Sequence, residues 1–317
     1  MISMFLGELL ALAFVGISSQ LAASSGIVYL LFPEMGALAY DTFRRPQGVW
    51  ASAPASIVLA TTMGAIAGTL ISGEVPQGFI SFATCIVVSV GLLRLTRSPM
   101  APALSAAYLP VALHVQTWLY PLSIAIVTGT LASLLVARRK LFGKRTTHAP
   151  VVHAGNVEDA LERAPRRHGW VVAFCVFLTL AYAVSRVTRL PLVLFPPLIV
   201  ISYEMFAHAE VCPWARRPLT LPVACVAGAS VGIVSVLWLG VGPLSTLMSL
   251  AAAIVALRAL RLHMPPVLGI SLLPQVLAQE SWSFIPAVAT GTVVLSAFFL
   301  AVRPLLVGAR VRDADRC

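Results

Sequence analysis

Glu34 is the residue best placed to do chemistry. It follows Pro33 in the run Leu31-Phe32-Pro33-Glu34-Met35-Gly36, well inside the apolar stretch 24–42. At ~1.5 Å per residue, a helix there would carry the carboxyl roughly 15 Å deep, near the midplane of a bilayer. A carboxylate at that depth costs about 3 kcal/mol unless it is protonated, paired or wet. Pro33 removes a backbone N–H and frees a carbonyl, which permits a kink or a break. An acid beside a helix break at mid-depth suits a proton- or cation-coupled site. The alternative is an acid that is simply protonated or hydrogen-bonded within the bundle. The similar run Leu194-Phe195-Pro196-Pro197 has no acid, so such a site is asymmetric.

Other polar residues recur at equivalent places. Asp41 and Glu204 end their apolar stretches beside Tyr40 and Tyr203, with Arg44/Arg45 and Arg216/Arg217 following as ion-pair partners. That pattern reads as anchoring. Further on come Arg97-Ser98-Pro99-Met100-Ala101-Pro102 and Arg261-Leu262-His263-Met264-Pro265-Pro266. Proline suits the first turn of a helix. A helix start with an arginine before it attracts anions, or else the arginine only holds the helix at its depth. Pro110 and Pro274 then kink each of these segments. His114, Gln116 and Trp118, against Gln279, Glu280 and Trp282, mark the far ends as belt residues or as a vestibule. Glu8 has the same two readings as Glu34, at shallower depth.

Enzyme signatures are missing from the sequence: it has no metal-ligand spacing, phosphate loop or nucleophile elbow. Asp41, Glu204, His208, Glu210 and His263 are the candidates for an enzyme acting on a lipid or prenyl substrate. A scaffold without a solute path is the third reading. No cofactor and no metal is expected. The five cysteines have no paired spacing and read as small core residues.

The elements that would position these residues are membrane helices. The chain has 317 residues, 59% hydrophobic and 11% charged, with mean hydropathy +0.91. That excludes an ordinary soluble domain, and its apolar blocks are continuous rather than alternating. The net charge of +10 comes from short basic runs at block ends, which set topology and are not a nucleic-acid patch. The first block follows Met1 without a cleavage pattern and reads as a retained span.

The sequence also matches itself at a shift of 164. Trp50 falls on Trp214, Gly64 and Gly68 on Gly228 and Gly232, Arg94 on Arg258, Pro102 on Pro266. At a shift of 163, Phe32-Pro33 falls on Phe195-Pro196 and Tyr40 on Tyr203. Internal repeats of this kind build many transporters, with the solute path between the copies. The two Gly-x-x-x-Gly pairs predict a close helix seam in each copy.

Charge decides the topology. If the fifth block of each copy crosses fully, nearly all basic residues share one face, and Arg186 and Arg189 are left opposite. The expected fold is therefore an all-α transmembrane bundle with about twelve spans, as two parallel repeats of about six. A re-entrant fifth block would instead invert the copies. The expected segments are a first repeat over 1–138, a linker over 139–168 with a short helix from Asn156 to Arg163, a second repeat over 169–308, and a tail over 309–317. Both termini are placed in the cytoplasm, in a membrane of bacterial inner-membrane type. The expected partners are a small-molecule or ion solute and membrane lipids.

The Arg45-Pro46-Gln47 turn, the Gly-x-x-x-Gly helix and the proline-rich helix starts resemble the HPP family of integral membrane proteins, named for a His-Pro-Pro motif. His263-Met264-Pro265-Pro266 resembles that motif with one residue inserted, Ser98-Pro99-Met100-Ala101-Pro102 resembles it in a more diverged form, and the exact His-Pro-Pro triplet is absent from both. The likeness covers 31–138 and 194–303. It implies a helical membrane domain, and relatives in plants and cyanobacteria are linked to nitrite transport. The family domain is usually single, whereas here it is doubled. The expected function is thus a proton-coupled permease for a small anion. Its path would use Pro33, Glu34, Tyr40, Arg97, Pro99, Met100, Pro102, Pro197, Tyr203, Arg261, His263, Met264, Pro265 and Pro266. Asp41, Glu204, His114 and Glu280 are secondary candidates.

Overall fold

The computed structural model describes residues 2–96, 98–142, 169–277 and 282–314, and these contain helices and no strand. The expected linker helix at Asn156–Arg163 lies outside the described residues, as do Arg97, Gln279 and Glu280.

Two series of elements follow one another in the same order. The first comprises α1 (Ile2–Ser25), a 3-10 turn (Val28–Leu30), α2 (Met35–Arg44), α3 (Val49–Ser52), α4 (Pro54–Glu74), α5 (Phe79–Leu95), α6 (Pro102–Leu113) and α7 (Leu119–Phe142). The second comprises α8 (Trp170–Thr188), a 3-10 turn (Pro191–Leu194), α9 (Pro196–Ala207), α10 (Pro213–Arg216), α11 (Thr220–Leu239), α12 (Pro243–Ala259), α13 (Pro266–Leu272) with a 3-10 extension (Leu273–Gln275), and α14 (Phe284–Ala314). α14 runs on past the boundary expected at 308.

Among the described residues, six helices are long and apolar enough to cross a membrane: α1, α4, α7, α8, α11 and α14. The rest of the expected spans fall on shorter elements. α5 and α12 have 17 residues each. The second and fifth segments of each series are shorter still, and they form the core.

Proline explains their shortness. α9 begins at Pro196-Pro197, α6 at Pro102 and α13 at Pro266. Each proline sits where a missing N–H costs nothing. The stretch expected as one helix over 24–42 is divided by Pro33: a 3-10 turn, an irregular Leu31–Glu34 step, then α2. α6 passes through Pro110 and ends at His114 in left-handed backbone (φ 55). α13 gives way to a 3-10 turn at Pro274. Helices apolar all round belong in an interior. Met35–Phe43, Pro102–Val111, Pro196–Phe206 and Pro266–Leu272 are buried without interruption.

The Gly-x-x-x-Gly seams hold these short helices against long ones. A Cβ on Gly64 would sit 2.6 Å from the carbonyl oxygen of Ala103, and one on Gly68 closer still to that of Ala107. In the second series Gly228 and Gly232 meet Val267 and Ser271, the residues 164 further along. Serine adds polar ties: Ser72 Oγ donates to the carbonyl of Pro110 at 3.1 Å.

The two series interlock. α1 packs on α12, where Ser19 and Thr246 hydroxyls lie 2.8 Å apart and Arg258 pairs with Glu8. Glu8 is therefore ion-paired across the two series. In the other direction Arg94 lies over the ring of Trp170 at the start of α8, 5.5 Å from its centroid. One end of the bundle gathers arginines: Arg138 donates to the Phe43 carbonyl (2.9 Å) and Arg139 to that of Ala51 (2.7 Å). The start of α1 lies there too, with Gly7 against the backbone of Phe43 and Arg44.

Candidate functional site

The short helices converge on one point. An added Cβ on Gly269 of α13 would lie 3.6 Å from each of the Glu34 Cα, the Pro33 carbonyl oxygen and Pro197 Cγ. Ser105 of α6 completes the group, its hydroxyl donating to Glu34 Oε1. At the sequence offsets of 164 and 163, Ser105 falls on Gly269 (105 + 164) and Glu34 on Pro197 (34 + 163). The first series supplies the polar pair and the second the apolar pair. Glu34 Oε2 is buried and has no hydrogen-bond partner.

From this point a narrow cavity of about 30 Å³ runs toward the arginine end. Its wall is made of matched residues: Ala37 and Val200, Asp41 and Glu204, Trp50 and Trp214, Pro102 and Pro266, with Glu34 facing Pro197. Arg45, His263 and Pro265 complete it. A volume of this size holds one or two waters.

Electrostatics around the cavity are dominated by acids. Asp41 Oδ1 accepts from Arg45 Nε at 3.0 Å and Nη2 at 2.8 Å. Asp41 Oδ2 is buried without a hydrogen-bond partner. His263 Nε2 lies 4.0 Å from Asp41 Oδ1. Arg44 Nη1 reaches His263 Nδ1 at 3.1 Å and the Tyr40 hydroxyl at 3.2 Å. A guanidinium only donates, so Nδ1 accepts and the ring proton sits on Nε2, toward Asp41. The chain Tyr40–Arg44–His263–Asp41–Arg45 thereby links α2 of the first series to the loop before α13.

The expected pairing of Asp41 with Arg45 is present. That of Glu204 with Arg216 is not, because Arg216 donates to the backbone carbonyl of Glu210 at 3.1 Å instead. Glu204 is left in the cavity wall opposite Asp41.

Glu34, Asp41, Pro102, Pro197, Glu204, His263, Pro265 and Pro266 all line the cavity. Pro33 sits directly behind it. Tyr40 is one contact removed. Tyr203 lies elsewhere, edge-on to Trp170 at 5.1 Å. Met100 and Met264 are fully buried core residues, and the Pro99 carbonyl accepts the Trp50 indole N–H at 3.0 Å. Arg261 is exposed and lies outside the cavity wall. His114 is exposed at the opposite end. The sequence reading missed Arg45, Ala37, Val200 and both tryptophans as wall residues. The Trp50–Trp214 match was their signal, since a large residue kept at both copies of one position faces something common to both.

Chemically, this wall can take up a proton or pair with a cation at Glu34, and exchange it with the arginine end through Asp41 and Glu204. Among the described residues no three His, Cys, Asp or Glu side chains come together as a metal-holding group. Compared with protein-family models, curated proteins and solved structures, the chain matches none.

Proposed function

We propose that this chain is a multi-pass membrane permease for a small solute, coupled to protons through Glu34. Its halves are two parallel repeats of about six crossings each, and its path runs where they meet. The observation that carries the proposal is the cavity at the junction. Equivalent residues of the two series line it in pairs, and a buried acid with one unpartnered oxygen stands at its inner end.

The pairing of helix ends supports the parallel arrangement. α2 ends beside the start of α1, α4 and α6 run side by side in the same direction, and Arg94 and Arg258 bind the first helix of the other series. On this reading the short helices are full crossings, sheathed from lipid by the long ones. Non-standard backbone at Leu31–Glu34 is tolerated at membrane depth because it is buried in protein and borders the cavity. The arginine end is the cytoplasmic face of a bacterial inner membrane, by the positive-inside rule.

The solute is proposed from the HPP resemblance as a small anion, with nitrite as its first candidate. Three residues of the inserted His-Pro-Pro run, His263, Pro265 and Pro266, stand in the cavity wall. Arg261 gives the anion no support there.

The test is Glu34→Gln in proteoliposomes. Proton-driven flux should fall at least about tenfold, equivalent to ~1.4 kcal/mol in the barrier. Flux with unchanged rate and pH dependence would remove Glu34 from the coupling.

A further inference from the structure

A second cavity of about 530 Å³ opens at the end of the bundle away from the arginine cluster. It lies between α5 and α6 of the first series and α8 of the second. Arg186, Arg189 and His114 stand on its rim, and Phe82, Tyr108 and Tyr182 form its floor.

Charge is the first indication of a ligand. The wall contains no carboxylate. Arg186 and Arg189 make no hydrogen bond or ion pair among the described residues. They are also the arginines that the charge distribution leaves on the face where basic residues are disfavoured.

Helix ends are the second. α6 and α8 stop at left-handed residues, His114 (φ 55) and Arg189 (φ 57), as helix C-termini commonly do. Both ends border this cavity, so the two caps set His114 and Arg189 at its rim.

The floor is the third. Phe82 and Tyr182 stack at 5.4 Å with 18° between planes, and Tyr108 stands edge-on to Phe82 at 5.7 Å. Aromatic side chains therefore lie beneath a cationic rim. At the equivalent place in the other half, a polar side chain bridges α12 and the end of α13. Gln275, matching Val111, accepts there from Ser245 at 3.2 Å and from the Gly242 N–H at 3.3 Å.

We propose that this vestibule binds a small organic carboxylate with a flat apolar body, about the size of benzoate. The guanidinium groups take the carboxylate in fork geometry, and the ring lies on the aromatic floor. The volume is in the range of small-molecule sites, far above what a bare triatomic anion fills. The inference rests on the permease reading for the ligand's onward route, and it replaces nitrite by a larger carboxylate as the small anion of that reading. Tyr108 and Ser105 are three residues apart on α6, ~4.5 Å along its axis, so the floor is also the partition between the vestibule and Glu34.

The experiment is calorimetry of the full chain in lipid nanodiscs, with benzoate, its neutral isostere benzyl alcohol, and nitrite. Benzoate should bind saturably and at least tenfold more tightly than either comparator. Arg186→Gln with Arg189→Gln should weaken it at least tenfold. The paired lysine variant keeps the charge but loses the fork, so it should bind more weakly than the parent and more tightly than the glutamine pair, and both variants should elute from size exclusion like the parent. No benzoate binding, equal binding of benzyl alcohol, tighter binding of nitrite, or indifference to the double glutamine variant would each overturn the vestibule site. Failure of Glu34-dependent flux with benzoate binding intact would instead count against the permease reading alone.

Discussion

At the scale of single residues, the account turns on Glu34 and what surrounds it. One oxygen receives the Ser105 hydroxyl, the other has no partner, and the equivalent residues in the second series, Pro197 and Gly269, are apolar. Ser105→Ala should therefore destabilise the protein by about 1–3 kcal/mol, the cost of leaving a buried acceptor without its donor. A double-mutant cycle with Glu34→Gln, followed by thermal unfolding in detergent, should give a coupling energy of about 0.5–3 kcal/mol. Additive effects would mean that the two side chains do not interact. Glu34 was legible in the sequence because an acid beside proline in an apolar run has few cheap explanations. The ring of contacts from Tyr40 through Arg44 and His263 to Asp41 was not. It joins residues more than two hundred positions apart, and no local pattern encodes that. The Glu204–Arg216 pairing failed for a local reason: the turn after α9 brings the guanidinium to a nearer acceptor, the Glu210 carbonyl.

At the scale of elements, two kinds of helix share the work. Long apolar helices form the outside, and short helices started by proline form the inside. The glycine seams set their spacing. Gly68→Ala should cost about 1–3 kcal/mol, because the new methyl would overlap the Ala107 carbonyl of α6 and backbone cannot give way as a flexible side chain can. Gly73→Ala, on the same helix with nothing within 4 Å, is the control and should be neutral or stabilising. Comparable melting of the two variants would argue against the seam. The seams were readable from the Gly-x-x-x-Gly pairs, and the short fifth segments from their prolines. The break at Leu31–Glu34 was only half readable. Pro33 announces a disturbance, but the choice between a kinked helix and an interrupted one depends on the packing of Gly269 and Pro197 against it.

At the scale of the molecule, the proposed repeat organises the account. Matched positions recur as matched contacts: Gly64 and Gly228, Gly68 and Gly232, the wall pairs of the inner cavity, and Arg94 and Arg258 each reaching the opposite series. The departures from symmetry are where function is proposed: Glu34 against Pro197, and an open vestibule lined by Val111 on one side against the hydrogen-bonded Gln275 on the other. Neither could be read from a repeat alignment alone, since each needs the partner series in place. The orientation of the two series is the claim from which the rest follows.

Side-specific labelling of single cysteines measures that orientation. Gln47 and Glu210 are matched exposed positions (47 + 163), and Gln77 and Val241 are matched exposed positions further along (77 + 164). Each would be replaced by cysteine in a background lacking the native thiols, then treated with a membrane-impermeant maleimide in sealed vesicles of both orientations. The account predicts that Gln47→Cys and Glu210→Cys label from the cytoplasmic face, and Gln77→Cys and Val241→Cys from the opposite one. Members of a matched pair labelling from opposite faces would contradict it.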